Sequence, residues 1–114
     1  MKYLVIRRHH PESSDILAAS SGDELKYERK DTTYPGWIWC TNNRGAQAWV
    51  PEAYVSFKGD VCCMVRDYIS RELELEEGDR VELLSTESGW AWVLDSNDEM
   101  GWIPLDNLEQ LEAE

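Results

Sequence analysis

The chain has 114 residues, 42% of them hydrophobic, and a formal net charge of −12. This length allows one ordinary domain or two very small ones. The negative charge argues against nucleic-acid binding, which needs a basic surface, and favours solubility and the attraction of basic partners. Residues 1–57 hold seven basic and seven acidic side chains, so residues 58–114 carry the entire net charge.

The N-terminal segment begins with a short apolar run, residues 3–6, and continues with a polar stretch that contains His9 and His10. The apolar run is too short for a signal peptide, which needs about 7–15 apolar residues. No run in the sequence reaches the roughly 18 apolar residues that span a membrane. We therefore expect a cytoplasmic protein that does not associate with membranes.

The histidines and cysteines follow no recognised catalytic or metal-binding pattern. No Ser or Cys nucleophile motif lies near the two histidines, and a general base needs a positioned partner. Cys40, Cys62 and Cys63 are odd in number and two are adjacent, which is a poor disulfide framework. We expect buried thiols, no metal or other cofactor, and no enzyme activity.

Most segments along the chain favour β-strands separated by tight turns. The segments rich in β-branched and aromatic residues are YLVI, ELKYE, WIWC, AWVP, VCCMV, RVELL and WAWVL. The stretches TNNRG and DSNDEMG are typical of hairpin loops. At the C-terminus, Leu105, Leu108 and Leu111 recur every three residues, which allows a short helix.

The chain contains an internal repeat. The matching strings are GWIW (36–39) with GWAW (89–92), AWVP (48–51) with GWIP (101–104), and GDEL (22–25) with GDRV (78–81). The first two pairs are shifted by 53 residues and the third by 56. Self-similarity at a fixed period indicates a repeated structural unit. We predict two small domains, residues 1–57 and 58–114, which pack closely because the link SFKGDV is too short to be a flexible linker.

The order of these motifs resembles the Src homology 3 family, a five-stranded β-barrel that usually binds proline-rich peptides. Each copy has a Gly-Asp turn, a strand, a Trp, a hairpin and an aromatic-aliphatic-Pro step. The string MVRDY at 64–68 is similar to the family's Ala-Leu-Tyr-Asp-Tyr motif. The resemblance covers nearly the whole chain. The chain is similar to tandem variants of this domain that occur in small bacterial proteins. The resemblance implies an all-β fold of two small barrels.

The resemblance also assigns residues to a peptide groove, which in that family is lined by two Tyr, a Trp, a Pro and a further Tyr. The matching positions are Trp37, Pro51 and Tyr54 in the first copy, and Tyr68, Trp90 and Pro104 in the second. Arg66 and Asn107 replace tyrosines of the second copy, and VIRRHH replaces the front tyrosines of the first. Each groove is therefore incomplete for binding a PxxP segment.

Acidic side chains in the loop after the front motif usually pair with a basic ligand residue in that family. In the first copy the resemblance gives this role to Glu12 and Asp15. In the second copy only residues 69–72 separate Tyr68 from Leu73, so the loop is too short for the usual specificity pocket. The second copy is therefore also a candidate structural or docking domain.

Strand alternation separates the tryptophans from a predicted core. The compact faces that suit a barrel interior are Ile38 with Cys40 and Ala91 with Val93. The opposite faces carry Trp37 with Trp39 and Trp90 with Trp92. We expect Trp37 to line a surface groove, and Trp90 either to do so or to pack between the domains. Trp49 and Trp102 are expected to be buried.

The leading hypothesis is a non-catalytic protein-interaction module that binds an extended, proline-containing or basic peptide in an aromatic groove centred on Trp37. A polyproline II helix loses little entropy on binding, and its ridges fit between aromatic side chains. One alternative is an assembly unit whose tryptophans form an interface between domains or in a homodimer. Another is a domain that recognises cell-wall peptides.

Overall fold

The chain is described by a computed structural model over residues 1–11 and 15–111. Within these residues the fold is all-β, as the sequence predicts. The elements, in chain order, are β1 Lys2–Val5, β2 Ala18–Ala19, β3 Glu24–Glu28, β4 Trp37–Thr41, β5 Gln47–Pro51, a 3₁₀ turn Glu52–Tyr54, β6 Val55–Lys58, β7 Val61–Met64, β8 Tyr68–Ile69, β9 Arg80–Glu87, β10 Trp90–Leu94, β11 Met100–Pro104, a second 3₁₀ turn Leu105–Asn107, and β12 Leu108–Gln110.

Antiparallel pairing arranges these strands into two five-stranded sheets and one two-stranded sheet. The strand orders are β11-β10-β9-β1-β12, β5-β4-β3-β7-β6 and β2-β8. Over the described ranges no pairing joins the two outer strands of either large sheet. The ladders therefore stay open, and the closed barrels implied by the resemblance are not found.

The chain divides into two compact units with bounds that differ from the predicted domains. Unit 1 comprises Met1–Glu12 and Glu72–Glu114, and unit 2 comprises Ser13–Arg71. Unit 1 holds the sheet that contains β1, and unit 2 holds the other two sheets. The predicted boundary at residue 57 does not coincide with the bounds of the units. The reason is that β1, from the first predicted domain, lies in unit 1, whereas β7, from the second predicted domain, lies in unit 2.

The two repeats have exchanged their first strands. In unit 1, Tyr3 of β1 lies opposite Val81 of β9. In unit 2, Cys62 of β7 lies opposite Leu25 of β3. Leu25 and Val81 occupy matching positions of GDEL and GDRV, so the exchanged strands take the same register. β1 also pairs with β12, and β7 pairs with β6, which completes the equivalence.

The Gly-Asp turns hold both exchanged strands in the same way. Gly22 and Gly78 have φ angles of +94° and +95°, a region that favours glycine. The backbone amide of Gly22 donates to the carbonyl of Met64 at 2.7 Å, and that of Gly78 donates to Val5 at 2.8 Å. The predicted turn is confirmed in both repeats, and it fixes where each exchanged strand ends.

Each unit has an apolar interior that the alternation of its strands explains. The core cluster of unit 1 consists of Val5, Leu73, Leu75, Val81, Ala91, Val93, Ile103 and Leu108. The interior positions of unit 2 include Leu17, Leu25, Ile38, Cys40, Val50, Cys62 and Met64, each at most 2% exposed. The inward faces predicted for β4 and β10 are thereby confirmed.

The predicted C-terminal helix is wrong within the described residues. The three residues from Leu105 form a 3₁₀ turn, and β12 follows at once. Leu108 is buried in the core and lies opposite Val5 of β1, so strand pairing outweighs the three-residue recurrence of leucine. Residues 112–114 lie outside the described part of the chain. None of the helical segments in that part has the length and hydrophobicity that crossing a membrane requires.

Candidate functional site

The structure groups the predicted groove residues differently from the two predicted domains. Tyr68 belongs to unit 2, together with Trp37, Pro51 and Tyr54, because it follows the exchanged strand β7. In unit 1 the matching place is held by His9, which forms a β-bridge with Leu75. Tyr68 pairs with Ala19 in the same manner. Unit 2 therefore collects four of the predicted groove residues, and Trp90 and Pro104 stay in unit 1.

The aromatic cluster of unit 2 is tightly organised. The rings of Tyr54 and Tyr68 meet edge to face with centroids 5.7 Å apart. The guanidinium of Arg66 lies 4.1 Å from the centroid of the Tyr54 ring. The Tyr68 hydroxyl donates a hydrogen bond to the backbone carbonyl of Trp49 at 2.9 Å. The segment that follows the exchanged strand β7 thus supplies both Arg66 and Tyr68 to the cluster.

This cluster offers little surface to a ligand. Trp37, Tyr54 and Tyr68 are each 8% exposed, and Pro51 is fully buried. Trp37 lies opposite Pro51 in the ladder of β4 and β5. This burial differs from the expectation that Trp37 lines an open groove. Strand alternation determines which face of a strand a side chain takes, but it does not determine whether other residues cover that face.

The matching place in unit 1 has a different chemistry. Trp90 is half-buried and lies opposite the buried Pro104. The His9 ring meets the Trp90 ring edge to face, with centroids 5.7 Å apart. The Nε2 atom of His9 lies 2.7 Å from Oε1 of Glu72. The His9 ring therefore lies between the Trp90 ring and the Glu72 carboxylate and contacts both.

A second histidine–carboxylate pair lies next to the first. Nδ1 of His10 lies 2.7 Å from Oε1 of Glu74, and both side chains are exposed. The hydrogen bond from His10 holds the pKa of the Glu74 carboxyl below its ordinary value. Arg8 adds ion pairs to Glu74 at 3.8 Å and to Glu76 at 3.3 Å. Unit 1 therefore presents paired basic and acidic side chains to solvent at residues 8–10 and 74–76.

The two units differ in net charge, as the predicted domains do, but the difference between them is smaller. The described residues of unit 1 carry twelve acidic and four basic side chains, a net charge of −8. Those of unit 2 carry eight acidic and seven basic side chains, a net charge of −1. Unit 1 therefore has the field that attracts a basic partner.

The predicted loop residues are distributed unevenly. Asp15 is exposed in unit 2, and Glu12 lies outside the described residues. The short link after Tyr68 is where the chain passes from unit 2 to unit 1, since Ser70 bonds to Leu17 and Leu73 bonds to Trp102. The short loop of residues 69–72 is thus a covalent connection between the two units.

Sequence reasoning missed the histidine–glutamate pairs and the side chain that supports them. The Asn107 amide donates to the carbonyls of Arg7 and Arg8 at 3.3 and 3.4 Å, and so holds the segment that bears His9. The available signal was the repeat itself. VIRRHH matches MVRDYI, which places His9 where Tyr68 stands, and Asn107 matches Tyr54.

Two of the three cysteines are buried thiols, as the sequence predicts, and the third is half-buried. Cys40 and Cys62 are free and fully buried, as predicted, and Cys63 is half-buried. Burial raises the pKa of the Cys40 thiol, and the neighbouring Cys62 raises it further. Burial also raises the pKa of Cys62. Across the described ranges, no group of three or more His, Cys, Asp or Glu side chains is arranged to hold a metal ion.

Comparison with known proteins does not assign a family. No protein-family model matches the chain, and no curated protein matches it.

Proposed function

We propose that this protein is a non-catalytic protein-interaction module that binds an extended, basic or proline-containing segment of a partner at unit 1, around Trp90. The observation that carries the proposal is the exposure of two matching tryptophans. Trp37 is 8% exposed, whereas Trp90 is half-buried. A binding site must offer surface, and an indole ring offers a large apolar area together with one N–H donor.

Both units are proposed to be variants of the Src homology 3 fold. The support is the shared strand order, the shared Gly-Asp turn, and the step from proline into a 3₁₀ turn at Pro51 and Pro104. An extended ligand with prolines suits such a surface because it loses little conformational entropy on binding.

The charge of unit 1 supports a basic ligand. Its net charge over the described residues is −8, and this sum includes the basic side chain of Arg8, which pairs with the exposed Glu74 and Glu76. A field of this sign speeds the encounter with a basic segment and makes binding weaken as salt rises. Arginine or lysine residues that flank the bound segment are therefore part of the proposed specificity.

The test is a chemical-shift titration of the full chain with a proline-rich peptide flanked by arginines. We expect the Trp90 indole and the His9 amide to shift, and Trp90→Ala to abolish binding. Trp39→Ala is the matched control, since Trp39 is also half-buried but lies in unit 2. Absence of any shift at millimolar peptide would contradict the proposal, as would shifts confined to unit 2.

A structural role for the matching cluster of unit 2 is the second candidate. The burial of Trp37, Tyr54 and Tyr68 favours it, because three large aromatic side chains contribute their area to stability rather than to a ligand. In this case Trp37→Ala lowers the melting temperature while the peptide still binds at unit 1.

A further inference from the structure

A second surface of unit 1 lies further along β10. Ala91 and Val93 point into the core, so Trp92 and Leu94 lie on the opposite face of the strand. Leu94 is directly opposite Met100 of β11 and Glu82 of β9. These three side chains, Glu82, Leu94 and Met100, form a row across three strands that we name the Leu94 row.

The matching row of unit 2 is polar. Thr41 of β4 is opposite Gln47 of β5 and Lys26 of β3. The Gln47 amide donates to the Thr41 hydroxyl at 3.2 Å, so the pair is satisfied at the surface. The same place in the same ladder therefore accepts polar residues, and the fold does not require the leucine and methionine of unit 1.

Two apolar side chains at the Leu94 row are exposed, and Leu94 itself is half-buried. Met100 is 42% exposed, and Leu84 of the neighbouring strand β9 is 45% exposed. Leu84 is the extra residue where the register of β9 shifts opposite Trp92 and Val93. Trp92 is half-buried and packs against Trp102 with ring centroids 5.2 Å apart. Apolar side chains grouped at a surface mark interaction sites more often than those that stand alone.

The border of this surface is acidic. Glu82 is part of the row, and the hairpin from β10 to β11 carries Asp95, Asp98 and Glu99. The Asp95 carboxylate accepts the backbone amides of Asn97 and Glu99 at 2.8 and 2.9 Å, which holds the hairpin in one conformation.

In unit 2 the corresponding places are basic or neutral. Lys26 matches Glu82, and the hairpin of unit 2 carries Arg44 and no acidic residue. The two units therefore differ at this surface in both hydrophobicity and charge.

We propose that unit 1 docks an apolar segment flanked by lysine or arginine, from a different protein, on the Leu94 row and its neighbours Leu84 and Trp92. Charge complementarity selects this occupant, because the acidic border attracts basic flanks. A second copy of the chain would bring another acidic border against this one, which like-charge repulsion opposes. This surface does not require that a peptide bind at Trp90, so the two proposals stand or fall separately.

The experiment compares the full chain with the double variant L94T/M100Q, which introduces the residues found in unit 2. The probe is a short synthetic amphipathic peptide of leucine and lysine, and its counterpart has glutamate in place of lysine. We expect the lysine peptide to bind the wild type, the double variant to bind it about tenfold more weakly, and the glutamate peptide not to bind. Trp39→Ala, which truncates a half-buried tryptophan of unit 2, should leave this binding unchanged.

Several outcomes would overturn the proposal. Equal affinity of wild type and L94T/M100Q for the lysine peptide would show that charge alone attracts it, since the substitutions change no charge. Absence of binding to the wild type would also contradict it. A wild-type dimer in sedimentation that L94T/M100Q dissociates would assign the surface to a second copy. If the double variant melts well below the wild type, M100Q alone provides the same comparison.

Discussion

The two units share one framework and use it differently. Both have the same strand order, the same Gly-Asp turn and the same ladder between a tryptophan and a proline. At matching places, unit 2 buries Trp37 and Tyr68, whereas unit 1 leaves Trp90 half-buried beside His9. Positions that agree are thus those that the fold requires, and the proposed binding sites are located at positions that differ.

The exchanged strands sharpen this comparison, because each unit depends on residues that lie far from it in sequence. β1 completes the sheet of unit 1, and β7 completes the larger sheet of unit 2. The cluster around Tyr54 and the pair of His9 with Glu72 both exist only because of this exchange.

The largest expected effect comes from a charge placed in an exchanged strand. Val5 and Met64 occupy matching places and are 0% and 2% exposed. A buried unpaired carboxylate costs several kcal/mol, about the whole stability of a small domain. We expect Val5→Asp to collapse the dispersion of the backbone amide chemical shifts of residues 72–111. Met64→Asp should collapse the dispersion of the amide shifts of residues 15–58. If Val5→Asp instead disrupted residues 15–58, the strand exchange would be excluded.

The next effect compares the two matching tryptophans. Truncation of a buried tryptophan costs about 3–5 kcal/mol, so we expect Trp37→Ala to lower the unfolding free energy by that amount. Trp90→Ala should cost less than this, because the residue is less completely buried than Trp37. Denaturant unfolding of the two variants measures the difference. Equal losses would argue that both tryptophans pack alike.

The smallest expected effect concerns Glu74. Its folded-state pKa is held below the ordinary value of 4.5, first by the hydrogen bond from His10. The stabilisation is therefore present above pH 4.5 and is lost as the pH falls through the folded-state value. We expect His10→Ala to raise the pKa of Glu74, as followed by side-chain carboxyl shifts, while Glu109→Gln leaves it unchanged. An unshifted Glu74 in His10→Ala would refute the hydrogen bond.

Local structure follows from the sequence because it depends on local pattern. The Gly-Asp turns need a residue that tolerates positive φ, and the strands show alternation that places Ile38 and Val93 inside. The repeat also identifies the ladder partners, since Trp39 and Trp49 match Trp92 and Trp102. These features are fixed within one repeat.

Long-range arrangement does not follow in the same way. β1 and β7 are short apolar strands that fit the same register, so neither sequence determines whether it joins β3 or β9. The candidate site depends on that choice, because Tyr68 and His9 follow the exchanged strands. The prediction of a C-terminal helix is wrong for a related reason. β12 pairs with β1, and this pairing cannot be recognised from the local pattern of leucines.

The most direct test of the strand exchange is a set of backbone nuclear Overhauser effects in the unmodified protein. The structure predicts cross-strand contacts from Tyr3 to Val81 and Gln110, and from Cys62 to Leu25 and Phe57. Contacts from Tyr3 to Leu25 and Phe57 would contradict the account, because each repeat would then have kept its own first strand.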